Sequence, residues 1–218
     1  MPRVASCQKL MGNDNFTHTL NARMNDYGVD LSAQTIRELS EYYSLLMRWN
    51  ERLHLVAPCD AEEFATRHVL ESLLLLKFLS TNAAIVDVGS GAGLPIIPCL
   101  IARSDLSATL IESSQKKSVF LREASNRSGI ANRVAIVAKP FEQTQAPDVR
   151  FVTCRALDEF ISKLSDLLKW SPAGATLLLF GGETLRKKLV ELGTQCTEVL
   201  IPNSEKRFLF VINVGPGQ

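Results

Sequence analysis

Residues 85–94 read Ile85-Val86-Asp87-Val88-Gly89-Ser90-Gly91-Ala92-Gly93-Leu94. An apolar burst that ends in an acid and then carries three glycines at alternate positions is a poor helix and a poor exposed loop. It reads as a buried strand feeding a turn where a ligand lies against bare backbone, as in Rossmann-like sheets that bind nucleosides. A glycine-rich turn also serves where a helix merely packs closely on a strand, so the run alone leaves that alternative open. Its context favours the first reading: Pro95 suits the first turn of a helix, and Ile96, Ile97, Leu100 and Ile101 continue as a buried face.

The flanking pattern predicts an α/β fold. Strands are expected at 84–88, 107–111, 133–137, 150–154 and 175–180, with helices from about 95 and at 114–128, 158–169 and 183–192. This alternation implies a doubly wound parallel sheet. Segments 195–200 and 207–212 are both β-prone but too close for a crossover helix, so they must form a hairpin that adds one antiparallel strand. Ahead of the sheet, Ile36, Leu39, Tyr43, Leu46, Trp49 and Leu53 form one apolar stripe. A second helix starts at Asp60, with capping-box spacing to Glu63, and runs through Phe64, His68, Leu70, Leu74 and Leu75. The expected organisation is a loose N-terminal arm over 1–30, a helical cap over 31–80 and a Rossmann-like domain over 81–218.

Composition narrows the class without naming it. Hydrophobic content of 46% and charged content of 22% are ordinary for a globular protein. The five cysteines are scattered and form no CxxC pair, which predicts reduced thiols in a cytoplasmic protein and no metal site. Neither a signal peptide nor a membrane span is expected. The net charge is only +1, yet residues 37–71 hold four Lys/Arg against seven Asp/Glu while residues 116–155 hold eight against three. Lys116, Lys117, Arg122, Arg127, Arg133, Lys139, Arg150 and Arg155 could therefore form a phosphate-facing surface, the alternative being a solvated helix face plus loop charges.

The glycine spacing bears on the ligand. A dinucleotide loop is GxGxxG with an acid about 20 residues later on the ribose. Here the third glycine comes one residue early, an acid precedes the loop, and Glu112 closes the next apolar stretch. This resembles motif I of class I methyltransferases, whose cofactor is S-adenosylmethionine. Ligands of such sheets bind at the carboxyl ends of the strands, which here deliver Asp87 to Leu94, Glu112, Lys139 to Glu142 and Cys154 to Ala156. Glu112 could accept both ribose hydroxyls, or serve only as a first-turn acid before Ser113 and Ser114. Asp87 could fix the loop amides or meet an ammonium, Phe141 and Glu142 lie where an adenine edge would, and Arg155 could clamp a carboxylate or phosphate. Gly89, Gly91, Gly93 and Leu94 complete the cofactor set. Arg67 and His68 could face the cleft, His68 being either a positioning residue or a satisfied structural one.

With these residues located, the chain resembles the RsmG (GidB) family. The likeness rests on Leu46-Met47-Arg48-Trp49-Asn50, Arg67-His68-Val69-Leu70-Glu71-Ser72, the run from Val86 to Pro95, Leu110-Ile111-Glu112-Ser113 with Lys116-Lys117, Phe120-Leu121-Arg122, and Cys154-Arg155-Ala156. It implies methyl transfer from S-adenosylmethionine to nitrogen 7 of a guanine in small-subunit ribosomal RNA, by a cytoplasmic monomer whose partner is that RNA or the small subunit. It also implies a donor site that includes Gly89, Leu94, Glu112, Phe141, Glu142 and Arg155. Arg67, Lys116, Lys117, Arg122 and Lys139 are the candidate RNA contacts. Nitrogen 7 offers its lone pair without losing a proton, so no general base is needed and orientation can carry the catalysis. Pro140 and Gly181 replace a usual arginine and lysine, Ile96 a glycine, and His54 and Val56 the usual Asn and Thr. The other readings are a methyltransferase of a small molecule or protein, and a non-catalytic ribosome-associated protein of the same fold.

Overall fold

The computed structural model describes residues 2–155 and 160–215, with side chains described from Gly12 onward. The strands are β1 Ala84–Val88, β2 Ser107–Ile111, β3 Val134–Val137, β4 Phe151–Cys154, β5 Thr176–Gly181, β6 Thr197–Leu200 and β7 Phe208–Asn213, most of them short apolar runs buried on both faces. They make one sheet in the order β3-β2-β1-β4-β5-β7-β6, parallel from β3 through β5. The expected hairpin is present, and its second strand lies antiparallel between β5 and β6. Strand order reverses beside β1, which puts the glycine turn at the switch point where such sheets bind ligands.

The sheet divides the core in two. Ile85, Leu110, Phe151, Leu178 and Leu209 face one apolar cluster, while their neighbours Val86, Ile111, Val152, Leu177 and Phe210 face the other, the period-two alternation of a pleated strand. The second face is covered by α6 (Phe160–Trp170) and α7 (Glu183–Glu191). The first carries α4 (Ile96–Ala102), α5 (Gln115–Arg127) and the N-terminal helices. Of these, α2 (Ala33–Leu53) opens on Ser32, whose hydroxyl accepts the Thr35 N–H at 3.0 Å, and closes on His54 in the left-handed region. The next helix, α3, spans 61–77. It starts on Asp60, which accepts the Glu63 N–H at 2.7 Å as the capping spacing predicts. It widens to a π-helix over Phe64–Leu70, then returns to α-helical geometry over Glu71–Leu73 and ends as a 3₁₀ turn over Leu74–Lys77.

The N-terminal arm differs from expectation. The backbone forms a helix, α1, over Pro2–Arg23, and its C-terminal half packs on the cap. Phe16 and Leu20 are fully buried, Phe16 stacks on Tyr43 with ring centroids 4.7 Å apart, and Ser44 donates to Asn13 Oδ1 at 2.9 Å. Among the residues whose side chains are described, two large apolar ones at i, i+4 spacing, Phe16 and Leu20, carry this contact, too few to register as a period amid polar neighbours. Tertiary packing rather than amphipathic pattern therefore holds the helix. The cap and sheet share one apolar cluster, so the expected boundary at residue 81 separates elements but not cores. Buried polar links cross it too: Arg103 donates to the Leu79 carbonyl at 2.9 Å, and the Cys99 thiol to that of Ser72 at 3.3 Å.

Truncating a fully buried aromatic removes its apolar transfer and leaves a cavity. Phe16→Ala is expected to lower unfolding free energy by roughly 3–5 kcal/mol, read from urea denaturation. An unchanged midpoint would show that α1 contributes nothing to the cap.

Candidate active site

Backbone hydrogen bonds to the neighbouring strand hold the glycine turn. Gly89 N–H and Ser90 N–H both donate to the Ile111 carbonyl, at 2.9 and 3.1 Å, which folds the turn over the end of β2. Gly89, Gly91 and Gly93 all have positive φ. Gly93 has a further reason: a Cβ there would lie 2.3 Å from Ile97 Cδ1, so this glycine lets α4 pack rather than facing the cleft.

Glu112, nearly buried at the end of β2, accepts the Gly91 N–H at 2.8 Å with one carboxylate oxygen and the Ser114 N–H at 2.7 Å with the other. This residue thus has the first-turn role expected of it. It secures the start of α5, and it also lines a cleft of about 270 Å³. The arrangement discriminates between ligands. In a dinucleotide site the loop and helix amides receive a pyrophosphate; here those of Gly91 and Ser114 already hold a carboxylate, whose charge repels phosphate. Each oxygen keeps a second acceptor site, which suits hydroxyl donors such as a ribose diol.

Asp87 lies on the cap side of β1 and is not among the cleft-lining residues. Its Oδ1 accepts the Thr153 hydroxyl at 2.7 Å, while Oδ2 is buried without a partner. Burial pushes its carboxyl up to about 7, against the opposing effect of the Thr153 hydrogen bond. It bonds none of the loop amides. An orphaned carboxylate oxygen behind a loop that bares its backbone suits a ligand with a positive group.

The cap supplies the other wall. Leu55, Val56 and Ala57, from the loop after α2, and His68, from the π-helical stretch, line the same cleft. That loop is fixed by Asn50, whose Oδ1 accepts the Val56 N–H at 2.9 Å, and the Trp49 indole donates to Glu123 at 3.1 Å. Tyr42 is fully buried and donates to the Ala92 carbonyl at 2.6 Å, tying the cap directly to the glycine turn. Burial raises its phenol above the ordinary range, so it remains a donor.

Arg155, at the end of β4, does not stand free to clamp an anion. Its guanidinium donates to the carbonyls of Arg67 and His68, to the Ser72 hydroxyl at 3.1 Å and to Glu71 at 3.4 Å, and it lies over the Phe180 ring. Buried Glu71 also meets Arg207 at 2.8 Å, making a shared anion between two arginines. Desolvation lowers the Arg155 guanidinium and raises the Glu71 carboxyl, each opposed by the other's charge. The His68 imidazole is pulled down to about 3, chiefly by burial and further by Arg155, Arg67 and Arg207, so it is neutral.

The remaining expected residues fall into three groups. Phe141 is core, edge-on to Trp170 at 5.6 Å, and Glu142 pairs with Lys163 at 3.1 Å; neither lines the cleft, although Lys163 does. Lys116, Arg122 and Lys139 are exposed, Lys117 reaches the cleft wall, and Arg67 is exposed beside Glu63. Arg133, by contrast, points inward to the carbonyls of Leu100, Arg103 and Leu106 and leaves the basic surface. Ala156 lies outside the described residues. Tyr42, Glu71 and the 55–57 loop are the contributors the sequence reasoning missed, and an acid inside an apolar helical stripe was the available signal for Glu71. Gly181 has a local cause: a Cβ there would lie 2.5 Å from Leu185 Cδ2, so Leu185 occupies the space a side chain would need. Among the described residues no cluster of His, Cys, Asp or Glu could hold a metal, and no helix is long and apolar enough to cross a membrane.

Removing one member of a buried ion cluster leaves its partners uncompensated. Glu71→Gln is expected to destabilise the protein by on the order of 3 kcal/mol. A thermal melt matching the parent would mean that Arg155 and Arg207 are satisfied without it.

Comparison with known proteins places this geometry. The family described as GidB, rRNA small subunit methyltransferase G, matches residues 35–209. Proteins named Ribosomal RNA small subunit methyltransferase G are 37% identical over 184 residues in Halorhodospira halophila, covering 83% of this chain and 86% of the relative. The one in Neisseria gonorrhoeae is 36% identical over 163 residues, 75% of each. Among solved structures, an RNA methyltransferase from Salinibacter ruber in complex with S-adenosyl-L-homocysteine aligns with TM-score 0.54 at 15% identity, over 69% of this chain and 94% of that one. A SAM-dependent methyltransferase from Aquifex aeolicus aligns with TM-score 0.56 at 16% identity, over 70% and 93%. The fold is that of S-adenosylmethionine-dependent methyltransferases, and the chain belongs to the rRNA small subunit methyltransferase G family.

Proposed function

We propose that this protein transfers a methyl group from S-adenosylmethionine to nitrogen 7 of a guanine in 16S ribosomal RNA, acting as a cytoplasmic monomer on the small subunit. The observation that carries this reading is the Glu112 carboxylate seated on the Gly91 and Ser114 amides, which converts a phosphate-type turn into one for an uncharged ribose. Family membership supplies the substrate. S-adenosylmethionine supplies an electrophilic methyl group on a sulfonium. Glu112 would hold its ribose, the backbone from Gly89 to Leu94 would lie along it, and the charge of Asp87 behind that backbone would favour its ammonium. Tyr42 and Arg155 hold the turn and the cap in register, so that the cleft excludes water and orients the reactants. Lys116, Lys117, Arg122 and Lys139 would meet RNA phosphate, giving binding that weakens with salt. Among the described residues the exposed large apolar side chains are Val119 on α5, Val190 on α7 and Leu200 on β6, few enough to suit a monomer.

The direct experiment incubates the protein and labelled S-adenosylmethionine with small subunits from cells that lack it. Label is expected in 7-methylguanosine; donor binding with no label in RNA would overturn the reading.

Asp87 makes a separate prediction. Its carboxyl titrates higher in the folded chain than in the unfolded one, so the native state binds the extra proton between about pH 4 and 7 and loses stability as pH rises through that window. A cationic ligand group favours the ionised form, so donor affinity is expected to rise from pH 6 to pH 8, with proton release that calorimetry in buffers of different ionisation enthalpy detects. Asp87→Asn should flatten both trends. A donor affinity that is flat with pH in the parent protein would remove Asp87 from the donor site.

A further inference from the structure

Four residues of the cleft wall come from the cap: Leu55, Val56, Ala57 and His68. His68 stands out among them. Its side chain makes no hydrogen bond among the described residues, and Nδ1 is buried without a partner. One face of the ring packs on Phe64, with centroids 5.0 Å apart. Its neighbours are held in place: Ser72 donates to the His68 carbonyl, and Arg155 donates to the carbonyls of Arg67 and His68. The π-helical stretch that carries it is a geometry often found where a helix serves a site. With Nδ1 closed to solvent, Nε2 is the ring nitrogen left to meet a group that enters the cleft.

We infer that His68 contacts the target guanine itself, its neutral imidazole accepting a hydrogen bond from the 2-amino group while Leu55 and Val56 face the base. The inference rests on the methyl-transfer reading above. In that reaction N7 gives its lone pair to the methyl carbon, the pair of the breaking S–C bond stays on sulfur, and the positive charge passes from sulfonium to purine with no proton leaving. N7 and O6 share the reacting edge of the base; the 2-amino group is on the far side and can be held without crowding it. As charge develops on the purine its amino group becomes a stronger donor. An acceptor there binds the transition state more tightly than the ground state, which is the condition for accelerating the step. An imidazolium would oppose the same charge. Burial and the nearby arginines keep His68 unprotonated, and Glu71 and Glu63 balance those arginines.

The test uses small subunits reconstituted with either guanine or inosine, which lacks the 2-amino group, at the position labelled by the parent protein. With guanine, His68→Ala is expected to lower the single-turnover rate roughly 10- to 100-fold, the loss of one hydrogen bond to a charge-bearing group, while S-adenosylhomocysteine affinity stays within about twofold. His68→Gln, which keeps an acceptor, should recover part of the rate. Inosine should slow the parent protein by a similar factor and the Ala variant hardly at all. The proposal fails if inosine is methylated at the guanine rate by the parent protein, a measurement that needs no variant to fold. It fails equally if the two penalties multiply, or if donor affinity falls with the rate. Absence of label in guanine-containing particles with the parent protein would instead sink the methyl-transfer reading, and it is seen before any variant is made.

Discussion

A guanidinium with little access to water must find partners for its donors, and Arg155 finds them only because the cap stands where it does. The end of β4 is fixed by the sheet. The carbonyls of Arg67 and His68, the Ser72 hydroxyl and the Glu71 carboxylate are fixed by α3. Neither side can shift without stranding a buried charge, a penalty of several kcal/mol. The cleft between them therefore has walls of set separation. Tyr42 adds a neutral strut of the same kind, from the cap to the Ala92 carbonyl within the glycine turn.

Within those walls, chemistry is divided between backbone and side chain. The turn contributes amides and bare Cα atoms, and Glu112 determines what those amides can still accept. With two of them already on a carboxylate, the site favours hydroxyl groups over phosphate. Arg155 and Arg207 are balanced inside by Glu71, whereas Lys116, Arg122 and Lys139 are exposed.

Much of this was readable in the sequence because it depends on short-range pattern. The strands of the parallel sheet announce themselves by short, mostly apolar runs, and β6 and β7 by a connection too short for a helix. Asp60 and Glu63 announce a helix start by spacing alone. What was not readable depends on contacts far apart in the chain. The packing of α1 rests on Phe16 meeting Tyr43 and Phe64, and the inward turn of Arg133 rests on three carbonyls about 30 residues away. Phe141 illustrates the same limit at the site. Its position at a strand end is legible, but the choice between ligand and Trp170 is made by α6, which arrives later in the sequence.

The place of β7 has a consequence in time. Of the seven strands it is the last to be synthesised, yet it sits inside the sheet, with β5 on one side and β6 on the other. Until it emerges, β5 is an open edge and β6 has no partner. Arg207, immediately before β7, is missing from Glu71 for the same interval. A nascent chain can thus assemble its glycine turn and most of its cap while the acid at their junction still lacks half of its counter-charge. The cluster of Arg155, Glu71 and Arg207 becomes whole only when the final strand slots in.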